Sequence, residues 1–228
     1  MLGNDIVDLE YWEPPKQQHV RYLERVCTSQ EADAVRRSVN QVGALATTWA
    51  SKEAAYKLFS KQFEISHFVP KQFEIQIEER DFGQIDKKLS IRFRGMQAEI
   101  SIFSKEKWVH AVATLPAMRI RWAARETERC FPDGRKARDE SEAVRLLARD
   151  LLDGLHLHGV CLQFDGRVPR LVREDGGNSG MDISLSHHGA FVAAAVAWPA
   201  GGTVSRQLDN DGFALTTNSE AVCSTCMV

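Results

Sequence analysis

Trp49, Glu53 and Lys57 fall four residues apart within Trp49-Ala50-Ser51-Lys52-Glu53-Ala54-Ala55-Tyr56-Lys57. The segment is built of strong helix formers without Gly or Pro, and its pattern predicts a helix from about Val42 to Phe63. Residues at i and i+4 lie nearly above one another on a helix, so the three form a single stripe. An aromatic plate, a carboxylate and an ammonium aligned in this way suit a metal-bound phosphate group. The competing reading is an ordinary Glu–Lys pair on a wet helix face, contributing about 0.2–0.5 kcal/mol. Near the start of the chain, Gly3-Asn4-Asp5-Ile6-Val7-Asp8-Leu9 predicts a short strand carrying two aspartates. A carboxylate in such a run is costly to bury unless it is paired or binds a cation. The alternative there is a solvated strand edge.

The elements that must position these groups follow from periodicity and punctuation. Pro14-Pro15 mark a turn, and a helix is expected from about Gln17 to Val26. Thr28-Ser29-Gln30-Glu31 has a capping-box pattern and starts a helix over about Ser29 to Ser38. Alternation at Phe73–Glu78, Leu89–Phe93, Ile100–Phe103 and Trp108–Val112 predicts an antiparallel meander, to which Met118 to Trp122 adds a strand. Residues 124–138 form a basic connector with Arg125, Arg129, Arg135, Lys136 and Arg138. Apolar residues at helical spacing predict a helix from about Glu140 to Leu155. Short strands are expected near Val160–Phe164 and Arg170–Val172, around an Asp165-Gly166 turn, and then at Asp182–Ser186 and Phe191–Ala197. Beyond Pro199 the sequence is polar and aperiodic, as in a loosely held tail.

The totals narrow the function classes. With 228 residues, 43% hydrophobic and 26% charged, the chain suits a globular protein of one large domain or two closely packed small ones. A formal net charge of -2 gives no global attraction to nucleic acid or an anionic membrane, so an anion site must be a local patch. The longest apolar run, Ala190 to Trp198, is far short of the ~20 residues of a membrane helix. The first ten residues, interrupted by Asp5 and Asp8, do not read as a secretory signal. Five cysteines without a framework spacing favour free thiols in a reducing compartment, and a cytoplasmic location is expected. Cys223 and Cys226 in the tail make at most half a zinc site.

The chain also echoes itself. Ile100-Ser101-Ile102 matches Ile183-Ser184-Leu185, and at the same spacing Trp108-Val109-His110-Ala111 matches Phe191-Val192-Ala193-Ala194. Only the second copy carries the polar turn Ser186-His187-His188-Gly189; the first has Phe103-Ser104-Lys105-Glu106. Two related half-domains with one working site are the expectation.

These pieces together resemble the 4′-phosphopantetheinyl transferase superfamily. Gly3-Asn4-Asp5-Ile6 resembles its Gly-x-Asp-Ile strand, and the Trp49–Lys57 segment its W-x-x-K-E-A-x-x-K helix. Arg21–Thr28 resembles the R-F-x-x-R-[IV]-x-T segment of the small holo-acyl-carrier-protein synthases, and Ile183–Gly189 the S-[IL]-S-H-[ST]-G segment. The resemblance covers about residues 1–198 and implies an α+β fold: a pseudo-dimer of two related lobes, each an antiparallel sheet packed on helices. The Asp/Lys-Glu lobe would span 1–123 and the Ser-His-His-Gly lobe 124–198, with a polar tail over 199–228. In this order the acidic half leads, as in the small synthases, so one chain supplies what they build from two. A monomer is therefore expected.

The resemblance further implies transfer of phosphopantetheine from coenzyme A to a serine of an acyl or peptidyl carrier protein, with release of 3′,5′-ADP. Attack on a pyrophosphate phosphorus is catalysed mostly by positioning and charge stabilisation. Asp5 and Glu53 would ligate Mg²⁺, which suits oxygen donors and retained waters. Lys57 would neutralise phosphates, and Glu53, directly or through a water, would accept the serine proton. Ser186 and His187 would contact the nucleotide end of coenzyme A, with Arg167, matching the family's Gly-Lys-Pro lysine with one residue inserted, and Arg145 as further contacts. For Arg145 and the basic connector, a solvated charge run is the competing reading. Arg21 and Arg25, a basic i,i+4 pair, would dock the acidic helix of the carrier; their alternative is solubility.

Two departures stand out. Large members carry a second acid two residues after the metal-binding aspartate, where this chain has Val7, favouring two carboxylates with water. The glycine-rich segment after the helix in the small synthases is replaced by Gln62 to Lys71. The main alternative is therefore a catalytically silent member that binds coenzyme A or a carrier protein without transfer. A nucleic-acid-binding module is disfavoured by net charge and by the lack of a basic recognition helix.

Overall fold

In the computed structural model the described residues are 1–12, 20–65, 67–76, 87–131, 139–157 and 159–201. Among them the chain is a mixed α/β fold of antiparallel sheets and helices. Strand β1 (Leu2–Asp8) is followed by helices α1 (Val20–Val26), α2 (Ser29–Arg37) and α3 (Gln41–Ser60). Then come β2 (Glu74–Gln76), β3 (Lys87–Phe93), β4 (Met96–Ser104) and β5 (Trp108–Thr114), which with β1 make one sheet in the order β1-β5-β4-β3-β2. The chain continues through β6 (Met118–Glu126), α4 (Glu140–Gly154), β7 (Val160–Asp165), β8 (Val168–Arg173), β9 (Asp182–His188) and β10 (Phe191–Pro199). Strands β6, β10 and β9 form a second sheet in that order, and β7 and β8 a hairpin.

Helix α3 is the axis of the first core. Its small residues Ala46, Ala50, Ala54 and Ala55, with Leu58 and Phe59, are fully buried with Phe73, Ile91, Phe93 and Ile100 of the sheet side. Alanines let a helix approach a sheet closely while retaining the best helix propensity. The capping box is formed: Thr28 Oγ1 accepts from the Glu31 N–H at 3.3 Å, and Glu31 Oε2 accepts from the Thr28 N–H at 2.7 Å. Glu31 does more than cap. Its second oxygen accepts from the Ile75 N–H, and it ion-pairs at 2.7 Å with Lys52, whose side chain is 0% exposed. Lys52 Nζ also donates to the carbonyls of Pro70 and Phe73. The first lysine of the Lys-Glu motif therefore ties α2, α3 and the segment before β2 together, on the side of α3 away from Glu53.

Strand β10 explains the long apolar run. Val192, Ala194, Val196 and Trp198 face α4 in one core, while Ala193, Ala195 and Ala197 face β1 and β5. The period-2 alternation separates two buried faces, and alanine on the second lets the sheets come together. Strand β1 is thus covered on both sides. Gly3, Asp5 and Val7 look toward α3, whereas Leu2, Asn4, Ile6 and Asp8 look toward the second sheet.

Three expectations change. The strand at Met118 exists, but it pairs only with β10 in the second sheet, because alternation shows that a strand forms and not which neighbour it takes. The 123/124 boundary consequently falls inside β6. Neither aspartate of β1 is on a solvated edge: Asp5 is 5% and Asp8 3% exposed. Helix α3 also ends at Ser60, three residues before Phe63. Residues 17–19 of the first expected helix, Ile77–Glu78, residues 132–138 of the connector and the tail from 202, with Cys223 and Cys226, lie outside the described residues. Among the described residues Cys27, Cys130 and Cys161 are free thiols, and no helix is long and apolar enough to cross a membrane.

Candidate active site

Gly3 sets the geometry of the site. A Cβ at this position would stand 2.0 Å from the Ala54 carbonyl oxygen and 2.5 Å from the Leu58 nitrogen. Only glycine lets β1 lie this close to α3, and two residues on, the next side chain on that face is Asp5. Its Oδ1 accepts from Lys57 Nζ at 2.9 Å, while Lys57 Nζ lies 3.7 Å from Glu53 Oε1. The two carboxylates therefore share one ammonium, which also donates to the Asn4 carbonyl at 3.1 Å. Gly3→Ala is expected to push β1 off α3, costing about 1–3 kcal/mol of stability in urea unfolding. It should also disrupt the Asp5–Lys57 contact.

Burial pushes the Asp5 carboxyl up, to about 7, with Lys57 pulling it back and the Glu53 charge adding to the rise. For Lys57 burial works against the charge, but Asp5 and Glu53 outweigh it and the ammonium is held above its ordinary value. The Glu53 and Lys57 side chains are 29% and 27% exposed, so the pair opens to solvent on one side. Trp49, one turn earlier, is partly buried and packs on Trp12, Tyr22 and Phe68. The predicted stripe is real, and its aromatic member serves the core.

Asp8 has a different task. Its Oδ1 accepts from the N–H groups of Glu10 and Tyr11, and its Oδ2 from the Ala190 N–H at 2.8 Å. Gly189, at φ 55, leaves room for it: a Cβ there would meet Asp8 Oδ2 at 2.3 Å. Asp8 clamps the β9–β10 turn to the end of β1. A second clamp sits at the other end, where Asp182 takes Lys61 Nζ at 2.8 Å and the Leu2 N–H at 2.7 Å.

Alternation along β9 sorts the polar turn. Ser184, Ser186 and His188 face β1, and His187 faces out. Ser186 is 3% exposed and accepts from the Asn4 amide at 3.2 Å, so its hydroxyl is part of the seam between the sheets, away from solvent. His187, with a side chain 44% exposed, meets Glu140 at the start of α4 at 3.1 Å. His188 Nδ1 accepts from the Asp8 N–H, and its ring packs on Tyr11 and Trp12. Burial lowers the His188 pKa, opposed by the charges of Asp8, Glu53 and Glu140. Of the two histidines, His188 is therefore the one turned toward the carboxylate side. The sequence points to His187 through the match of Ser186-His187 to the family segment, which carries no information on which residue of the strand faces inward.

Arg167 is exposed at the turn joining β7 and β8. Arg145 is exposed on α4, its guanidinium 5.0 Å from the Phe164 ring near the same turn. Neither is among the partners of Asp5, Glu53 or Lys57. Arg21 and Arg25 are both exposed on α1.

Asp5 and Glu53 are hard oxygen donors of the kind that hold Mg²⁺ with waters and phosphate oxygens completing its shell. Among the described residues no group of three His, Cys, Asp or Glu side chains converges on a metal position. The third-acid position is Val7, buried in the core at 0% exposure. Two carboxylates fit a cation that draws its remaining ligands from solvent and substrate.

The register of the strands gives the site a counterpart. Strand β1 pairs with β5 as β6 pairs with β10: Asp8 lies opposite Trp108, and Glu126 opposite Phe191. Leu9 N–H donates to the Lys107 carbonyl, and Thr127 N–H to the Ala190 carbonyl, both at 2.8 Å. With Trp108 matched to Phe191, Asp5 falls on Ala123 and Asn4 on Trp122. The counterpart lacks the aspartate, so one acidic pair is present. No curated protein matches the chain. The family model of the 4′-phosphopantetheinyl transferase superfamily matches residues 1–113, the stretch that runs from β1 into β5 and carries Asp5, Glu53 and Lys57. Through this half, the chain belongs to the 4′-phosphopantetheinyl transferase superfamily.

Proposed function

We propose that the protein moves phosphopantetheine from coenzyme A to a serine of an acyl or peptidyl carrier protein, releasing 3′,5′-ADP in a Mg²⁺-dependent reaction. The family match supports transferase activity in general. The observation that carries the finer reading is the Asp5–Lys57–Glu53 triplet, open to solvent beside Lys57 and backed across β1 by the strand that bears His187 and His188. Asp5 and Glu53 would hold the cation, which when bound would neutralise the pyrophosphate charge. Lys57, fixed by Asp5 and the Asn4 carbonyl, supplies a permanent positive charge for the transferring phosphate. Glu53, the more exposed carboxylate, is placed to take the serine proton. His187, Arg167 and Arg145, all on the open surface of the second half, are assigned to the nucleotide end of coenzyme A, and Arg21 and Arg25 to the carrier's acidic helix.

The same reading treats the molecule as a monomeric pseudo-dimer located in the cytoplasm. Each half runs from a strand through helix (three in the first half, one in the second) into four strands, and the two matched backbone hydrogen bonds at Leu9 and Thr127 support a duplicated origin. By strand pairing the lobes divide between Thr114 and Met118.

The test is incubation with Mg²⁺, fluorescent coenzyme A and a panel of apo carrier proteins. Label on a carrier serine upholds the proposal. Tight coenzyme A binding with no label on any carrier would instead identify a silent member, the reading that Val7 in place of a third acid leaves open. The pH dependence is a further check. Metal binding needs the Asp5 anion, and its carboxyl is raised to about 7 by burial in the metal-free protein. The Mg²⁺ concentration for half-maximal rate should therefore rise as pH falls below that value, by up to about tenfold per unit. Above it the requirement should level off.

A further inference from the structure

Asn4 sits where four lines of contact meet. Its carbonyl accepts from Lys57 Nζ at 3.1 Å, and its N–H donates to Ser184 Oγ at 2.9 Å. Its side-chain amide reaches His110 Nε2 at 3.0 Å and Ser186 Oγ at 3.2 Å. Asn4 and His110 are both 0% exposed, and Asn4 Oδ1 and His110 Nδ1 have no hydrogen-bond partner among the described residues. A buried amide left half satisfied is a poor way merely to fill space. The chain contains the apolar alternative. At the position matching Asn4 stands Trp122, and at the one matching Ser186 stands Phe103, with ring centroids 4.3 Å apart. His110 in turn matches Ala193. The junction that lacks an aspartate is closed by aromatic packing, whereas the one beside Asp5 and Lys57 is closed by an amide, an imidazole and two hydroxyls.

We propose that Asn4 is a positioning residue that locks the Lys57-bearing side of the site to strand β9 of the second half, setting the span across which coenzyme A is gripped. The proposal rests on the transferase reading. Its main chain fixes the Lys57 ammonium, and its side chain holds Ser186, next in sequence to His187. A displacement of the amide therefore moves both ends of the cofactor site relative to each other. Carrier docking, assigned to Arg21 and Arg25 on α1, does not cross this junction.

The experiment compares the full chain with Asn4→Leu, Asn4→Leu/Ser186→Ala, Ser186→Ala and, in the core beneath α4, Leu152→Ala. In the labelling assay Asn4→Leu is expected to raise the KM for coenzyme A about tenfold while leaving the KM for the carrier within about twofold. Leu152→Ala should lower the melting temperature and move neither KM. The double variant, which removes the unpaired hydroxyl, should regain stability over Asn4→Leu without regaining the KM for coenzyme A beyond the value of Ser186→Ala alone. An unchanged KM in Asn4→Leu, or full recovery in the double variant, overturns the proposal and leaves Asn4 a packing residue. If the parent chain labels no carrier, the transferase reading fails separately. The lock is then judged by hydrogen exchange, where Asn4→Leu should speed exchange in both β1 and β9 about tenfold and Leu152→Ala should not. Unaltered exchange in those strands sinks it.

Discussion

Asp5→Ala is expected to abolish carrier labelling, and Glu53→Ala to do the same, each by about a thousandfold or more at saturating coenzyme A. The expectation follows from there being two carboxylates and, among the described residues, no third. Val7 is buried in the core, so the third-acid position offers no carboxylate to replace one that is removed. The variants differ in what they do to the fold. Removing Asp5 relieves a desolvated carboxyl but leaves Lys57, its Nζ still bonded to the Asn4 carbonyl, without its closest anion. Removing Glu53, on the open side of α3, leaves the core untouched. Asp5→Asn is the sharper test, since it keeps shape and loses charge. Labelling, circular dichroism and urea unfolding run in parallel distinguish chemistry from folding. Either alanine variant labelling at the parent rate would remove the metal assignment.

Lys52→Ala is expected to cost about 3–5 kcal/mol of unfolding free energy. The Lys52–Glu31 pair is fully buried, and Lys52 Nζ satisfies two carbonyls in addition to the carboxylate. Truncation leaves the Glu31 carboxyl in a site closed to water without its counter-ion. Burial depresses the Lys52 pKa and Glu31 pulls it back, as expected of an ion that tolerates its surroundings only because of its partner. Glu31→Gln/Lys52→Met, which removes both charges, should recover a substantial part of the loss, because desolvation often offsets what such a pair contributes. Equal urea midpoints for Lys52→Ala and the parent would show that the pair holds nothing together. Activity of the folded fraction should persist in the double variant, since Glu53 and Lys57 lie on another side of α3.

What the sequence made legible was local. The i,i+4 spacing of Trp49, Glu53 and Lys57 and the Gly-x-Asp run need only helix and strand periods, and both are present as read. The capping box of Thr28 and Glu31 is likewise a contact across three residues. What stayed hidden needed partners far apart in the chain. Lys52 and Lys57 are alike in sequence, and only the packing of α2 and β2 shows that one is a buried tie to Glu31 and the other the partner of Asp5 and Glu53. Asp5 and Asp8 differ in role because one is odd and the other even along β1. The odd face meets a helix and the even face a sheet. The same parity separates His187 from His188 and draws Ser186 into the seam. Strand β6 was foreseen as a strand, yet its place beside β10 depends on a pairing that alternation does not encode.

The double covering of β1 has a practical consequence for dissection. A fragment stopping where the family match stops would keep both carboxylates and the whole of α3, yet leave Leu2, Ile6, Phe103 and Val112 facing water along one flank. Such a piece should be insoluble, or soluble only by recruiting a second copy of itself to shield that flank. The half that carries the recognisable residues thus depends on the rest of the chain to cover it.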